Sequence, residues 1–193
     1  MTYWDPLPTA LACAEDRPLP GLEEFVPSYN PSWGQREDAR EERDWRGVPG
    51  PFYASGTDTC WTGRTVAPGH VLYEDDFGTE FLYRQPCTVE ETLRVVAASW
   101  LDPMAGYACD GDSRWTPDLV REWWRDRGRV REWAVRLDRA WSASQEEQER
   151  EAAGGARAYV AHIDGDLGDR LRHYVFWLAE GHPAGAGETL PRL

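Results

Sequence analysis

The chain has no lysine. All 21 of its basic side chains other than four histidines are arginines. That absence removes whole mechanisms: a phosphate-binding loop and a protein kinase each require a lysine on the phosphates, and Schiff-base or pyridoxal chemistry requires one as nucleophile. Cysteine is scarce and scattered: Cys13, Cys60, Cys87 and Cys109 form no CxxC pair, which argues against a zinc ribbon, a thioredoxin motif or a ferredoxin-type cluster. They read as reduced, buried thiols. No unbroken apolar run exceeds the six residues 174–179, too few to span a bilayer. The first residues lack the basic start and apolar stretch of a secretory leader, so the expected setting is the cytoplasm. No GxSxG elbow, HExxH pair or strand-linked GxGxxG occurs.

What the 193 residues do hold is acid and indole. There are 34 Asp plus Glu, a net charge of -13, eleven Trp, eight Tyr and five Phe. So negative a chain repels nucleic-acid phosphates. The only net-positive stretch, residues 113–141, has eight Arg against five acids. The acids are interleaved at helical spacing, which predicts intrahelical pairing rather than a phosphate stripe.

Eight of fourteen prolines lie at or before Pro51. Residues 1–50 therefore read as an extended arm. Its Trp4, Leu7, Leu11, Leu22, Phe25, Val26, Tyr29, Trp33 and Trp45 should be buried on the body, because disordered tails seldom carry such side chains. A short helix is expected over 33–45. Residues 70–73 and 80–84 read as a hairpin around a 74–79 turn, and Phe52-Tyr53 and Cys60-Trp61-Thr62 as further strands.

From Thr88 the reading is helical. Thr88-Val89-Glu90-Glu91 is a capping box, followed by a face of Val89, Leu93, Val96, Ala97 and Trp100. Thr116-Pro117 opens a helix that Gly128 should stop, and Val130, Trp133, Ala134, Leu137 and Trp141 line the next. Ser144 should cap another helix, interrupted at Gly154-Gly155, and Leu167, Leu171, Tyr174, Val175 and Leu178 line the last. The fold class is α+β: a helix-rich single domain over 51–180 with a small antiparallel sheet, a Pro-rich extended N-terminal arm over 1–50, and a flexible tail over 181–193.

Three constellations could carry chemistry. Asp110-Gly111-Asp112 and Asp164-Gly165-Asp166 could converge on a hard cation, but lack the further acids of a calcium loop, so turns with Asp caps are the reading. The run 56–63 could form a binding loop with Asp58, Cys60 and Trp61, Cys60 reading as a structural thiol. The stretch 107–115 could wall a pocket with Tyr107, Asp110, Asp112 and Trp115; core plugging by Tyr107 and Trp115 is favoured. These seven residues are the candidate ligand contacts. No catalytic residue, metal or cofactor is expected.

The runs Pro49-Gly50-Pro51-Phe52-Tyr53, Asp58-Thr59-Cys60-Trp61-Thr62-Gly63-Arg64, Asp110-Gly111-Asp112 and Trp115-Thr116-Pro117 resemble small acidic proteins of high-GC actinobacteria such as streptomycetes. The resemblance implies that kind of host and a cytoplasmic setting, and carries no catalytic residue. The preferred function is non-enzymatic: an acidic adaptor, regulator or immunity-type protein docking on a basic protein partner. The alternative is a small-molecule-binding protein or enzyme with an aromatic and carboxylate pocket around residues 58–61 and 107–115.

Overall fold

A computed structural model describes residues 3–13 and 43–193. The fold is helix-rich α+β, with short antiparallel strand pairs. It divides into two compact units, Asp5–Gly111, and Asp112–Leu193 together with the N-terminal Tyr3 and Trp4. The division falls inside the stretch that the sequence reads as one domain.

The first unit contains α1 (Leu7–Cys13), β1 (Tyr53–Ala54), α2 (Gly63–Val66), β2 (Val71–Tyr73), β3 (Glu80–Leu82), α3 (Val89–Leu101) and β4 (Tyr107–Ala108). The hairpin β2–β3 pairs Val71 with Leu82, Leu72 with Phe81 and Tyr73 with Glu80, as the apolar runs around the 74–79 turn predict. β1 pairs with β4, Tyr53 opposite Ala108. Both strands of the hairpin are buried on both faces, so side-chain alternation carries little information there. Phe52, Val71, Leu82, Val95, Val96, Ala98 and Tyr107 share one core with Ala10 and Cys13 of α1.

Several expectations in this unit are corrected. Cys60-Trp61-Thr62 is not a strand: Trp61 has φ of 61° and the loop turns into α2. The described start of the arm is helical rather than extended. Trp4 and Leu11 are exposed and Leu7 is half-buried; α1 docks through its small residues instead. The expected helix over 33–45 falls largely outside the described residues, as do Leu22, Phe25, Val26, Tyr29 and Trp33; Trp45 is half-buried. The capping box is half right. Thr88 accepts from Glu91 N–H at 3.1 Å, but the Glu91 carboxylate reaches Cys87 N–H at 2.8 Å and Cys87 Sγ at 3.0 Å. The buried face of α3 is Thr92, Val95, Val96, Ala97, Ala98 and Ser99, leaving Val89 exposed. A run so rich in small and apolar residues does not fix its own phase. Cysteine burial is also mixed: Cys13 and Cys109 are buried, Cys87 is half-buried and Cys60 is exposed.

The second unit is α4 (Gly111–Arg114), α5 (Pro117–Ser142), α6 (Glu147–Asp164) and α7 (Leu167–Glu180); α4 begins at the boundary residue. Thr116 caps α5 by accepting from Leu119 N–H at 3.3 Å, with Pro117 in the first turn. Neither expected break occurs. α5 runs through Gly128, which is exposed, and α6 runs through Gly154 and Gly155. A glycine costs a helix only about 1 kcal/mol, and packing outweighs it. Val130, Trp133, Ala134, Leu137 and Trp141 are all buried, as their spacing predicts, and α6 brings Ala152, Ala153, Gly155, Ala156 and Tyr159 to the core. Small residues there let α6 pack closely on α5. α7 buries Leu167, Leu171, Tyr174 and Val175, with Leu178 half-buried, and closes on Gly181 in the left-handed region. Tyr3 stacks on Trp177 with ring centroids 4.9 Å apart. The acid–arginine pairing is only partly intrahelical. Arg121 meets Asp118 within α5, but Arg131 reaches Asp164 at 2.7 Å and Arg157 reaches Asp138 at 2.5 Å between helices. The tail is anchored: Arg172 donates to the Pro191 and Leu190 carbonyls, and Arg121 to that of Arg192.

Two glycines separate backbone economy from steric need. A Cβ on Gly128 meets nothing within 4 Å, whereas one on Gly111 collides with the Gly50 carbonyl oxygen and lies 2.7 Å from that of Pro51. Gly128→Ala should raise unfolding free energy by about 0.5–1 kcal/mol. Gly111→Ala should lower it by roughly 2 kcal/mol or more. Urea denaturation checks both; a destabilised Gly128→Ala would contradict the continuous α5.

Candidate functional site

The first unit collects its buried polar groups around Glu80. This residue opens β3 opposite Tyr73 and is only 2% exposed. Its Oε1 accepts Gly63 N–H at 2.7 Å and its Oε2 accepts the Tyr107 hydroxyl at 2.5 Å; its own N–H donates to Thr57 Oγ1 at 2.7 Å. Gly63 has to be glycine, since a Cβ would collide with Glu80 Oε2 and sit 2.6 Å from the Tyr107 oxygen. One carboxyl therefore ties the 56–63 loop, the start of α2, β3 and β4 together. Asp102 performs a similar task at the far end of α3, accepting Asp58 N–H at 2.9 Å, Met104 N–H at 3.0 Å and Gly106 N–H at 2.5 Å.

Charge follows from that geometry. Burial pushes the Glu80 carboxyl up; the bonds from Tyr107 and Gly63 pull it down, and the charges of Asp58 and Asp102 push it up again. The outcome is about 7 against an ordinary 4.5. Burial, then the neighbouring Glu80, raise Tyr107 well above its usual value, so it stays a hydroxyl donor.

The same hairpin ends in a rigid tip. Glu74, buried, accepts Asp76 N–H and Phe77 N–H at 2.7 Å, and Thr79 N–H at 3.0 Å with the Thr79 hydroxyl at 3.2 Å. Burial alone would raise its carboxyl, but those donors hold it below the usual range. A carboxylate accepting several amides is a strong turn clamp. Buried Arg46 lies 3.1 Å from Asp44, 3.2 Å from Asp76, 3.7 Å from Asp75 and 3.9 Å from Glu74. One guanidinium among four carboxylates leaves the tip acidic. From it projects Phe77, 80% exposed, between exposed Asp75 and Asp76 and Gly78. Trp61 braces the tip: it stacks on Tyr73 at 4.3 Å and 14°, its carbonyl accepts the Tyr73 hydroxyl at 2.7 Å, and a Cβ on Gly78 would lie 2.7 Å from its Nε1. Gly78 also needs its positive φ of 80°.

Among the residues expected from sequence, Asp58, Trp61 and Tyr107 meet around Glu80. Asp58 closes a local turn by accepting Cys60 N–H at 3.1 Å, and Cys60 is exposed on the same loop. Asp110 accepts the Tyr53 hydroxyl at 2.8 Å. Asp112 and Trp115 belong to the second unit. There, Asp112 accepts the Tyr174 hydroxyl at 2.8 Å and Trp177 Nε1–H at 3.0 Å, and Trp115 is half-buried. Asp164 is held by Arg131, and Asp166 by His162 and Arg170 at 2.6 Å each. Asp166 makes no cap bond to α7, so its expected capping role is replaced by ion pairing.

Sequence reasoning missed Glu80, Glu74 and Phe77. The available signal was an aromatic set among acids at a turn, where a turn usually carries polar residues.

Glu80 holds its proton more tightly folded than unfolded. The stability this contributes is fully present below about 4.5 and is lost as pH rises through about 7, on the order of 3 kcal/mol across the window. His70, pushed down by burial, works in the opposite sense. The variant difference is therefore the readout. Glu80→Gln, which keeps an acceptor for Gly63 and remains neutral, should gain stability relative to the parent between pH 5 and 8 in urea unfolding. A constant difference across that range would show that Glu80 does not titrate there.

No family model matches the chain, and neither a characterised protein nor a solved structure is significantly similar to it.

Proposed function

We propose that this is an acidic docking protein, non-enzymatic and cytoplasmic, whose β2–β3 tip engages a basic protein partner. The observation that carries the reading is Phe77, 80% exposed on a turn whose amides are clamped by buried Glu74. An exposed aromatic ring is the kind of side chain that anchors the core of a protein interface, where aromatics are enriched. Held rigidly, it loses little conformational entropy when it enters a socket. The surrounding Asp75 and Asp76, and a chain charge of -13, favour a partner whose socket is rimmed by Lys or Arg. Opposite potentials speed encounter and select against acidic competitors. Among the described residues no helix is long and apolar enough to cross a membrane.

The pocket-based alternative has less support. Glu80 is the one carboxyl near residues 58–61 and 107 with a value suited to acid–base work, yet it is 2% exposed and both its oxygens are already engaged. A substrate would have to displace the bonds that hold the loop.

The test compares partners captured from source-cell lysate by the parent, by Phe77→Ser and by Asp75→Asn with Asp76→Asn. Phe77→Ser should cost about 2 kcal/mol, roughly thirtyfold in Kd. The charge variant should weaken capture mainly at low salt. The variants should still fold: these side chains are exposed, and Asp44 and Glu74 remain beside buried Arg46 when Asp75 and Asp76 are neutralised; thermal unfolding of each variant checks this. Capture of a basic protein that ignores all three substitutions, or no basic partner at low salt, would overturn the reading.

A further inference from the structure

A second feature lies in the other unit and rests on no part of the docking proposal. An open groove of about 780 Å³ is walled by Trp124 and Arg127 of α5, the α6–α7 turn from Ile163 to Asp169, Arg172 of α7, and Arg192 and Leu193 of the tail. That volume is within the range of small-molecule sites. Its walls carry three arginines, Arg127, Arg172 and Arg192, against the carboxylates of Asp164, Asp169 and the terminal Leu193.

Arg127 is fixed in place: its guanidinium sits 3.9 Å from the centroid of the Trp124 ring and donates to the Trp124 carbonyl at 2.7 Å. Among the described residues, no carboxylate lies within ion-pair distance of Arg127 or Arg192. The two acids of the groove are compensated. Asp164 is gripped by Arg131 through three bonds of 2.7 to 3.0 Å, and Asp169 lies 3.7 Å from Arg172. The first turn of α7 contributes Gly168 and Asp169 to the wall. The apolar part of the lining is Ile163, Leu193 and the Trp124 indole. Gly168 lies flat against this indole, since a Cβ there would sit 3.0 Å from the ring.

We infer that this groove binds a small organic anion, its phosphate or carboxylate on the Arg127 and Arg192 guanidinium groups and its apolar body on Trp124, Ile163 and Leu193. Guanidinium forks match both oxyanions, and a cation already desolvated against an indole gives up little hydration on binding. An oxyanion without an apolar body forfeits the apolar part of the lining, and a cationic ligand is repelled by the two guanidinium groups that would hold the headgroup.

Calorimetric titration of the full chain with phenyl phosphate, benzoate and inorganic phosphate tests this. At least one aromatic anion should bind more tightly than inorganic phosphate, and comparison of the two aromatic anions assigns the headgroup. Arg127→Gln with Arg192→Gln should weaken binding at least about tenfold. Arg192→Gln alone, on an exposed tail side chain, should weaken it without altering thermal unfolding. The inference fails if neither aromatic anion binds up to about 10 mM, or if binding is the same in both arginine variants as in the parent.

Discussion

The first unit depends on a carboxyl group buried where three segments would otherwise part. Glu80 receives the amide that begins α2 and the hydroxyl at the head of β4, and sits on β3 itself. Two-residue and three-residue strands have little cohesion of their own, so bonds between them matter more than the ladders within them. Glu74 and Glu80 lie six residues apart on one hairpin, both buried, yet move in opposite directions. Glu74 collects three amides and a hydroxyl and is held ionised; Glu80 has two donors and faces Asp58 and Asp102, and is pushed towards neutrality. Glu80 is the more deeply desolvated and Glu74 has the more donors aimed at it, and the two differences together decide between them. One carboxylate keeps the tip in shape, and the other secures the base on which that tip stands.

The second unit solves a different problem. Its long helices carry many arginines, and several of them hold segments together. Arg131 and Arg157 bridge to Asp164 and Asp138, while Arg121 and Arg172 hold the tail by its carbonyls. Carboxylates are used in the same way: Asp112 is saturated by a phenol and an indole. Among the described residues, Arg127 and Arg192 are the arginines of the groove wall with no carboxylate within ion-pair distance. Arg127 is held in place by an indole face and a carbonyl.

Much of this was legible in the residues. Thr116-Pro117 and Thr88 announced their helices, and the 3.6-residue spacing of Val130, Trp133, Ala134, Leu137 and Trp141 named the buried face of α5. The paired apolar runs around 74–79 gave the hairpin. The failures have common causes. Glycines were read as breaks where tertiary packing carried the helix through Gly128 and Gly154-Gly155. Val89 sits in the first turn of α3 beside Glu90 and Glu91, and the small and apolar run 95–101 that follows leaves the phase of the buried face open. Glu80 looked like an ordinary strand-edge acid. Only the burial of both faces of the hairpin, a property of what surrounds it, makes it a central group. Asp58, Trp61 and Tyr107, expected from sequence as ligand contacts, lie in the same part of the first unit as Glu80. Their role is to build and brace that neighbourhood, and the exposed ring they support, Phe77, was passed over as part of a turn.

The central claim is that the tip holds its shape before any partner arrives. Hydrogen exchange of the Asp76, Phe77 and Thr79 amides in the isolated protein tests it most directly. These amides border exposed side chains, so only the Glu74 clamp can shield them. The account predicts exchange roughly a hundredfold slower than in an unstructured chain, with that protection lost in Glu74→Gln while the Leu72 and Leu82 amides stay protected. Exchange of the tip amides at unstructured rates in the parent would contradict it.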